Sequence, residues 1–316
     1  MMLDQDMRKW FANYFGSKVR FDEPMSKHTY FKVGGPAEVF VAPESIEQLA
    51  ELILWSVEKN VPYIVAGDGS NLLVSDKGIK GIVIVLTKCL NRIFRVKEEK
   101  ESVIIKAMAG TRTQELCRFA IDEGLSGLNF ALGIPGTVGG AIMMNAGTST
   151  GTISDILESV NVMAASGDIL KIEKADIDFS YRSLIWKRKI NISGNEDPVI
   201  LEGTFRLGKS DTLELKKEAQ VILKKRNESQ PTGLPCAGCF FKNPTSGKTA
   251  GQLIDMAGLK GTRIGGSNIS ERHANFIVNT GNASASDILA LMQLVQNTVF
   301  EKFNINLQPE VKIVGI

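Results

Sequence analysis

A chain of 316 residues with 37 Lys and Arg against 35 Asp and Glu carries a net charge of only +2, which leaves no electrostatic footprint for nucleic acid. Its 43% hydrophobic content is ordinary for a globular protein, and the length suits two or three domains. The longest apolar runs, such as IVIVL at 82–86, are strand length, so no membrane partner is expected.

The opening MMLDQDMRKWFANYFG mixes acids with an Arg-Lys pair and lacks an apolar core, so it does not read as a secretory signal. Four cysteines, Cys89, Cys117, Cys236 and Cys239, make no disulfide framework at this size, and a cytoplasmic protein is expected. Residues 45–59 predict a helix, with Ile46, Leu49, Ile53 and Val57 on one face and Ser45 as N-cap. Residues 61–66, 82–86 and 103–107 read as strands, followed by a helix over 113–123 that stops at Gly124. Further strands are expected at 160–164 and 199–205, with a turn at Ser166-Gly167-Asp168. After Gly208 the composition changes to an amphipathic basic helix over 211–226, a Pro-rich link and the segment PCAGCFFKNP. A short helix near 250–257 and a longer one over 286–303 follow, the second striped by Ile288, Leu291, Val295 and Val299. NLQPEVKIVG at the end reads as a strand with an embedded acid. The pattern is α+β, without repeats or strict βαβ alternation. It suggests a two-lobed N-terminal ligand region (1–95 and 96–208) and a separate α+β domain over 209–316.

Two segments concentrate glycine. GIPGTVGGAIMMNAG (133–147) holds Gly133, Gly136, Gly139, Gly140 and Gly147, and GDGSNLLV (67–74) follows the apolar run VPYIVA. Such backbones turn sharply and lie close to a ligand, and their N–H groups suit a pyrophosphate. The Rossmann fingerprint G-x-G-x-x-G is absent. Two such turns beside strand-like segments suggest one extended phosphate-bearing ligand held from two sides. Tight turns with no ligand are the competing reading.

In their order along the chain, TYFKVGGPAE (29–38), GDGSNLLV, GIPGTVGGAIMMNAG, YRS (181–183), AGCFFKNP (237–244), SERHANFIVN (270–279) and PEVKIVG (309–315) resemble the MurB family of flavoenzymes. The resemblance spans nearly the whole chain. It implies a two-lobed FAD-binding fold of the vanillyl-alcohol-oxidase type plus a C-terminal α+β substrate domain, in the shorter subtype lacking an extra tyrosine-bearing loop. It further implies reduction of the enolpyruvyl vinyl ether of a UDP-sugar in peptidoglycan synthesis, with FAD and NADPH and with a monomer expected. Arg182 would stabilise the enolate formed on hydride transfer, since a guanidinium is permanently charged and its fork matches a carboxylate. Composition alone makes Arg182 a surface arginine of the basic stretch 181–189. Glu310 matches the family's active-site glutamate, where a protonated carboxyl would donate to the enolate. By pattern alone it is an outward residue of an alternating strand.

Cys239 stands where the family usually has a serine proton donor. A thiol, with a reference pKa of roughly 8.5, releases its proton far more readily than an alkyl hydroxyl, so the role survives the exchange. Cys236 completes a C-x-x-C. No second pair accompanies it, and His28 and His273 sit in other motifs, so no metal is expected; a Cys236–Cys239 disulfide stays open. For FAD the resemblance points to Val65, Ala66, Gly67, Asp68, Gly69, Ser70, Asn71 and Leu72, and to Gly110. It points equally to Ile134, Pro135, Gly136, Thr137, Gly139, Gly140, Ala141, Asn145, Ala146 and Gly147, with Val33 and Gly34 nearby. Tyr181, Arg226, Lys242, Asn243 and Gln252 are the expected substrate contacts. The rival readings are an FAD-dependent oxidase of the same fold and a flavin- or nucleotide-binding protein without catalysis. Neither histidine lies in a glycine-rich segment, which argues against an oxidase that tethers FAD through histidine.

Overall fold

The computed structural model describes residues 3–187 and 198–315. The chain forms two compact units, each assembled from three segments: Met1–Phe21, Val39–Gly67 and Gly81–Lys224 in the first, Asp22–Glu38, Asp68–Lys80 and Lys225–Ile316 in the second. Residues 209–224 of the expected C-terminal domain thus fall in the first unit.

The first unit begins with a helix, Gln5–Phe15, that the sequence reading passed over. Asp4 caps it by accepting from the Met7 N–H at 2.8 Å, and Trp10 stacks on Trp55 at 4.7 Å. The helix Ile46–Lys59 starts as expected at Ser45, whose hydroxyl accepts from the Gln48 N–H, and stops at Asn60 in the left-handed region. Its buried face is Leu49, Leu52, Ile53 and Trp55; Val57, expected there, is an exposed side chain. The aromatic stack with Trp10 turns the packed face toward Trp55. Tyr63–Ala66 pairs in parallel with Ile79–Val85. A larger antiparallel sheet runs Ile169–Glu173, Leu157–Met163, Val199–Lys209, Ser102–Met108, Ile93–Glu98. The strands expected at 103–107, 160–164 and 199–205 form its middle, which is why their apolar runs are nearly continuous. The helix Thr113–Asp122 buries Leu116, Cys117 and Ala120.

The second unit has its own core, built from Phe31, Val33, Leu73, Phe240, Phe241, Leu253 and the stripe Ile288, Leu291, Val295, Val299 of the helix Ala285–Phe303. A capping box between Ser284 and Asp287 starts that helix. Only Lys312–Val314 of the strand expected at the C-terminus is regular, and it pairs in parallel with Leu72–Val74. Pro309 lacks an N–H and the Glu310 N–H is drawn to Phe240, so the ladder cannot extend upstream. Among the described residues no helix is long and apolar enough to cross a membrane, and no group of three or more His, Cys, Asp or Glu is arranged to hold a metal.

Candidate active site

In the first unit the strand Tyr63–Ala66 leaves Val65 41% exposed and then delivers Gly67. A Cβ on Gly67 would stand 2.5 Å from Thr137 Oγ1, so the two glycine-rich segments meet at these residues. Thr137 is the N-cap of the helix Val138–Met143, and Arg112 bridges to it. Not every N–H of the run is available to a ligand, as the sequence suggested. The Val138 N–H donates to Thr111 O and the Gly139 N–H to Ala109 O, both at 2.8 Å. Backbone packing also explains several glycines. A Cβ on Gly139 would lie 3.0 Å from Ala109 Cβ, one on Gly110 2.4 Å from Leu86 O, and one on Gly147 2.6 Å from Gly151 O. Ile134, Ala141 and Ala146 are held through their own N–H groups by Ala131, Thr137 and Ala141 carbonyls. Gly136, at φ 125°, accepts from the Thr113 N–H at 3.0 Å, and Gly140 is exposed, its N–H donating to the Thr137 hydroxyl at 3.5 Å and its missing Cβ meeting nothing nearer than 3.6 Å.

Asn145 ends this run buried, in a left-handed conformation. Its Nδ2 donates to Ser180 O at 3.2 Å, and its Oδ1 accepts from the Ser154 N–H at 3.0 Å. Ser180 closes a hairpin, Ile177–Ser180 with Ser183–Trp186, whose two-residue turn is Tyr181-Arg182. Arg182 sits there at φ 57°, its guanidinium 5.2 Å from the ring centre of the exposed Tyr181. The side chain of Asn145 therefore ties the glycine-rich run to the Arg182 turn.

In the second unit, Asp68, Gly69, Ser70 and Asn71 form a turn seated on residues 28–30. A Cβ on Gly69 would fall 1.9 Å from His28 O, and the Tyr30 N–H donates to Gly69 O at 3.1 Å. Val33 belongs to the core, and Gly34, at φ 122°, leaves the space that Val74 fills, its absent Cβ 2.8 Å from Val74 Cβ. Cys239 is half-buried and in no disulfide. The segment that follows it is paired with the one bearing Glu310. The Glu310 N–H donates to Phe240 O and the Lys242 N–H to Gln308 O, both at 2.8 Å. Asn275, buried and given no role by the sequence reading, brackets the same segment. Its Nδ2 donates to Phe241 O at 2.8 Å, its Oδ1 accepts from the Phe241 N–H at 2.9 Å, and its carbonyl accepts from the Phe240 N–H at 2.7 Å.

Burial pushes the Cys236 thiol up, partly offset by the Gly238 N–H. Burial likewise holds the Arg226 guanidinium below its usual range, and the negative form of Cys239 acts in the opposite direction. Asn243 and Gln252 serve a helix start: the Ala250 N–H donates to Asn243 Oδ1 at 3.0 Å, and the Thr249 N–H to Gln252 Oε1 at 2.9 Å. Their acceptor oxygens are thus committed, leaving the amide N–H groups for any ligand.

Residues 37–173 match the family described as FAD binding domain, and residues 230–314 match the C-terminal domain of UDP-N-acetylenolpyruvoylglucosamine reductase. A reductase of that name from Desulfosudis oleivorans is 46% identical over 313 residues, 99% of this chain and 100% of its own length. The chain belongs to the UDP-N-acetylenolpyruvoylglucosamine reductase family. A family member from Clostridium botulinum is 42% identical over 95% of this chain and 93% of its own. The crystal structure of the Thermus caldophilus enzyme, MurB, superposes with a TM-score of 0.74 at 34% identity, covering 94% of this chain and 98% of that one. The chain is therefore a flavin oxidoreductase, an FAD-binding fold carrying the reductase C-terminal domain. The exposed Val65 and Gly140, with the half-buried Gly67 and Gly136, fit a flavin pyrophosphate, which needs backbone approach more than long side chains.

Proposed function

We propose that this enzyme reduces the vinyl ether of UDP-N-acetylglucosamine-enolpyruvate to UDP-N-acetylmuramate with NADPH, a step of peptidoglycan synthesis. Bound FAD supplies the chemistry of hydride relay, from NADPH to C3 of the vinyl ether. Gly67, Asp68, Gly69 and Ser70, with Gly136, Thr137 and Gly140, would hold its pyrophosphate. Hydride at C3 leaves negative charge on C2 and the substrate carboxylate. Arg182 stabilises that charge with its guanidinium, and Glu310, protonated, donates a hydrogen bond to the same enolate. Cys239 gives its Sγ proton to C2, and Arg226 favours the thiolate that remains. Lys242, with the amide groups of Asn243 and Gln252, binds the UDP-sugar diphosphate, and Tyr181 shares its turn with Arg182.

One observation carries this reading. The pair of backbone hydrogen bonds that joins 240–242 to 308–310 puts the thiol-bearing segment beside the carboxyl-bearing one. Purified protein should be yellow, bleach with NADPH and regain colour anaerobically on addition of the enolpyruvyl sugar nucleotide. Reoxidation by oxygen alone, with none by the sugar nucleotide, would reject the reading.

A further inference from the structure

The position of Glu310 depends on a residue from the glycine-rich turn at 67–74. The Glu310 N–H is fixed by Phe240 O, and its carbonyl accepts from Asn71 Nδ2 at 3.1 Å. Just downstream, the Lys312 N–H donates to Asn71 O at 2.9 Å, and the parallel pairing of Lys312–Val314 with Leu72–Val74 begins there. Pro309, on the other side, has no N–H to contribute. Both peptide groups of Glu310 are thus held, one of them by a side chain. The base from which Asn71 reaches is itself fixed, because Gly69 is packed on His28 and bonded to Tyr30.

We propose that Asn71 is a positioning residue for Glu310, its side-chain amide serving the substrate half of the reaction and not the cofactor. The proposal rests on the role given to Glu310 above. Without the amide, the Glu310 carbonyl loses the Asn71 donor, and the peptide is less firmly held, displacing the carboxyl from the enolate. A displacement of about 1 Å at a reacting group costs on the order of a hundredfold in rate.

The test uses FAD-loaded full-length protein and stopped-flow spectroscopy. Asn71→Ala removes the amide. Asn71→Asp keeps the shape but sets a carboxylate against the Glu310 carbonyl, and gives a second reading should the alanine variant fold poorly. In both, FAD affinity measured by flavin fluorescence and the rate of reduction by NADPH should stay within about twofold of wild type, while reoxidation by the enolpyruvyl sugar nucleotide slows at least about tenfold. Added to Glu310→Gln, either change should cost less than about twofold more, since the two act as a unit. Weakened FAD binding, or an equal loss in both half-reactions, would return Asn71 to the cofactor or to bulk stability and overturn the proposal. So would a fully additive loss on the Glu310→Gln background. If Glu310→Gln itself reoxidises at the wild-type rate, the role of Glu310 fails first. If it is slow while the Asn71 variants are fast, only the present proposal fails.

Discussion

In the proton-donor role proposed for Cys239, a thiol and a serine hydroxyl differ in acidity more than in reach. Cys239→Ser should keep much of the activity, because the hydroxyl can occupy the same place. Cys239→Ala should bind FAD and be reduced by NADPH at the normal rate, then lose about 10²–10⁴-fold in reoxidation, the usual contribution of a general acid. Full activity in Cys239→Ala would move the proton donor elsewhere. Arg182→Lys keeps the charge but not the fork, and should likewise spare flavin reduction while slowing reoxidation by about 10²–10³-fold. Stopped-flow traces of the two half-reactions separate these cases. Arg182, Cys239 and Glu310, to which the proposal gives the chemistry, stand out in the sequence only through the motifs around them, since their own patterns read as a surface arginine, a C-x-x-C and an outward acid. Asn275 and the Glu310 bond of Asn71 were not legible. Their partners lie 34 and 239 positions away, beyond the reach of any local pattern. The roles expected for Asn243 and Gln252 passed over a capping signal, T-x-x-Q at 249–252, that was plainly there.

At the scale of elements, local signals served well where the determinant was local. Ser45 and the apolar spacing after it marked a helix, and the stripe of the last helix is buried as its periodicity required. Long-range capping was hidden. Asp76 accepts from the Ala285 and Ser286 N–H groups and from the Ser286 hydroxyl, at 2.8, 2.9 and 2.6 Å, at the start of the helix Ala285–Phe303. Burial raises the Asp76 carboxyl, but these three donors outweigh it and hold the group below the usual carboxylate range. A depressed folded-state pKa means that its stabilisation is complete above the unfolded value, about 3.9, and disappears as pH falls through the folded one. Asp76→Ala should therefore cost about 1 kcal/mol at pH 7, and urea midpoints of mutant and wild type should converge below about pH 4. A constant gap across that range would mean that the charge plays no part. Asn145 makes the other element-scale link. Asn145→Gly suits the left-handed backbone but removes both side-chain hydrogen bonds, so the melting temperature should fall and reoxidation should slow with flavin reduction spared. Unchanged reoxidation would detach Asn145 from the Arg182 turn.

At the scale of the whole molecule, the second unit is not a continuous C-terminal domain. Its core takes Phe31, Val33 and Leu73 from segments far upstream, and the strand Lys312–Val314 finds its partner in Leu72–Val74. Sequence alone suggested a boundary near 208, because composition changes there, and composition does not report which core a short upstream segment enters. Phe31 and Leu73 flank glycine-rich motifs, which drew attention to ligands instead of to packing. The consequence can be measured. A fragment of residues 225–316 lacks those three apolar side chains and leaves the edge of Lys312–Val314 unpaired, so it should show no cooperative thermal transition and should aggregate. In the intact chain, Phe31→Ala should cost about 3–5 kcal/mol, as expected for an aromatic truncated in a closed core. Phe31→Leu, which keeps most of the volume, should cost far less. A cooperative, monomeric fold in the isolated fragment, or a Phe31→Ala variant as stable as wild type, would show that 225–316 packs its own core and that the upstream segments merely cover it.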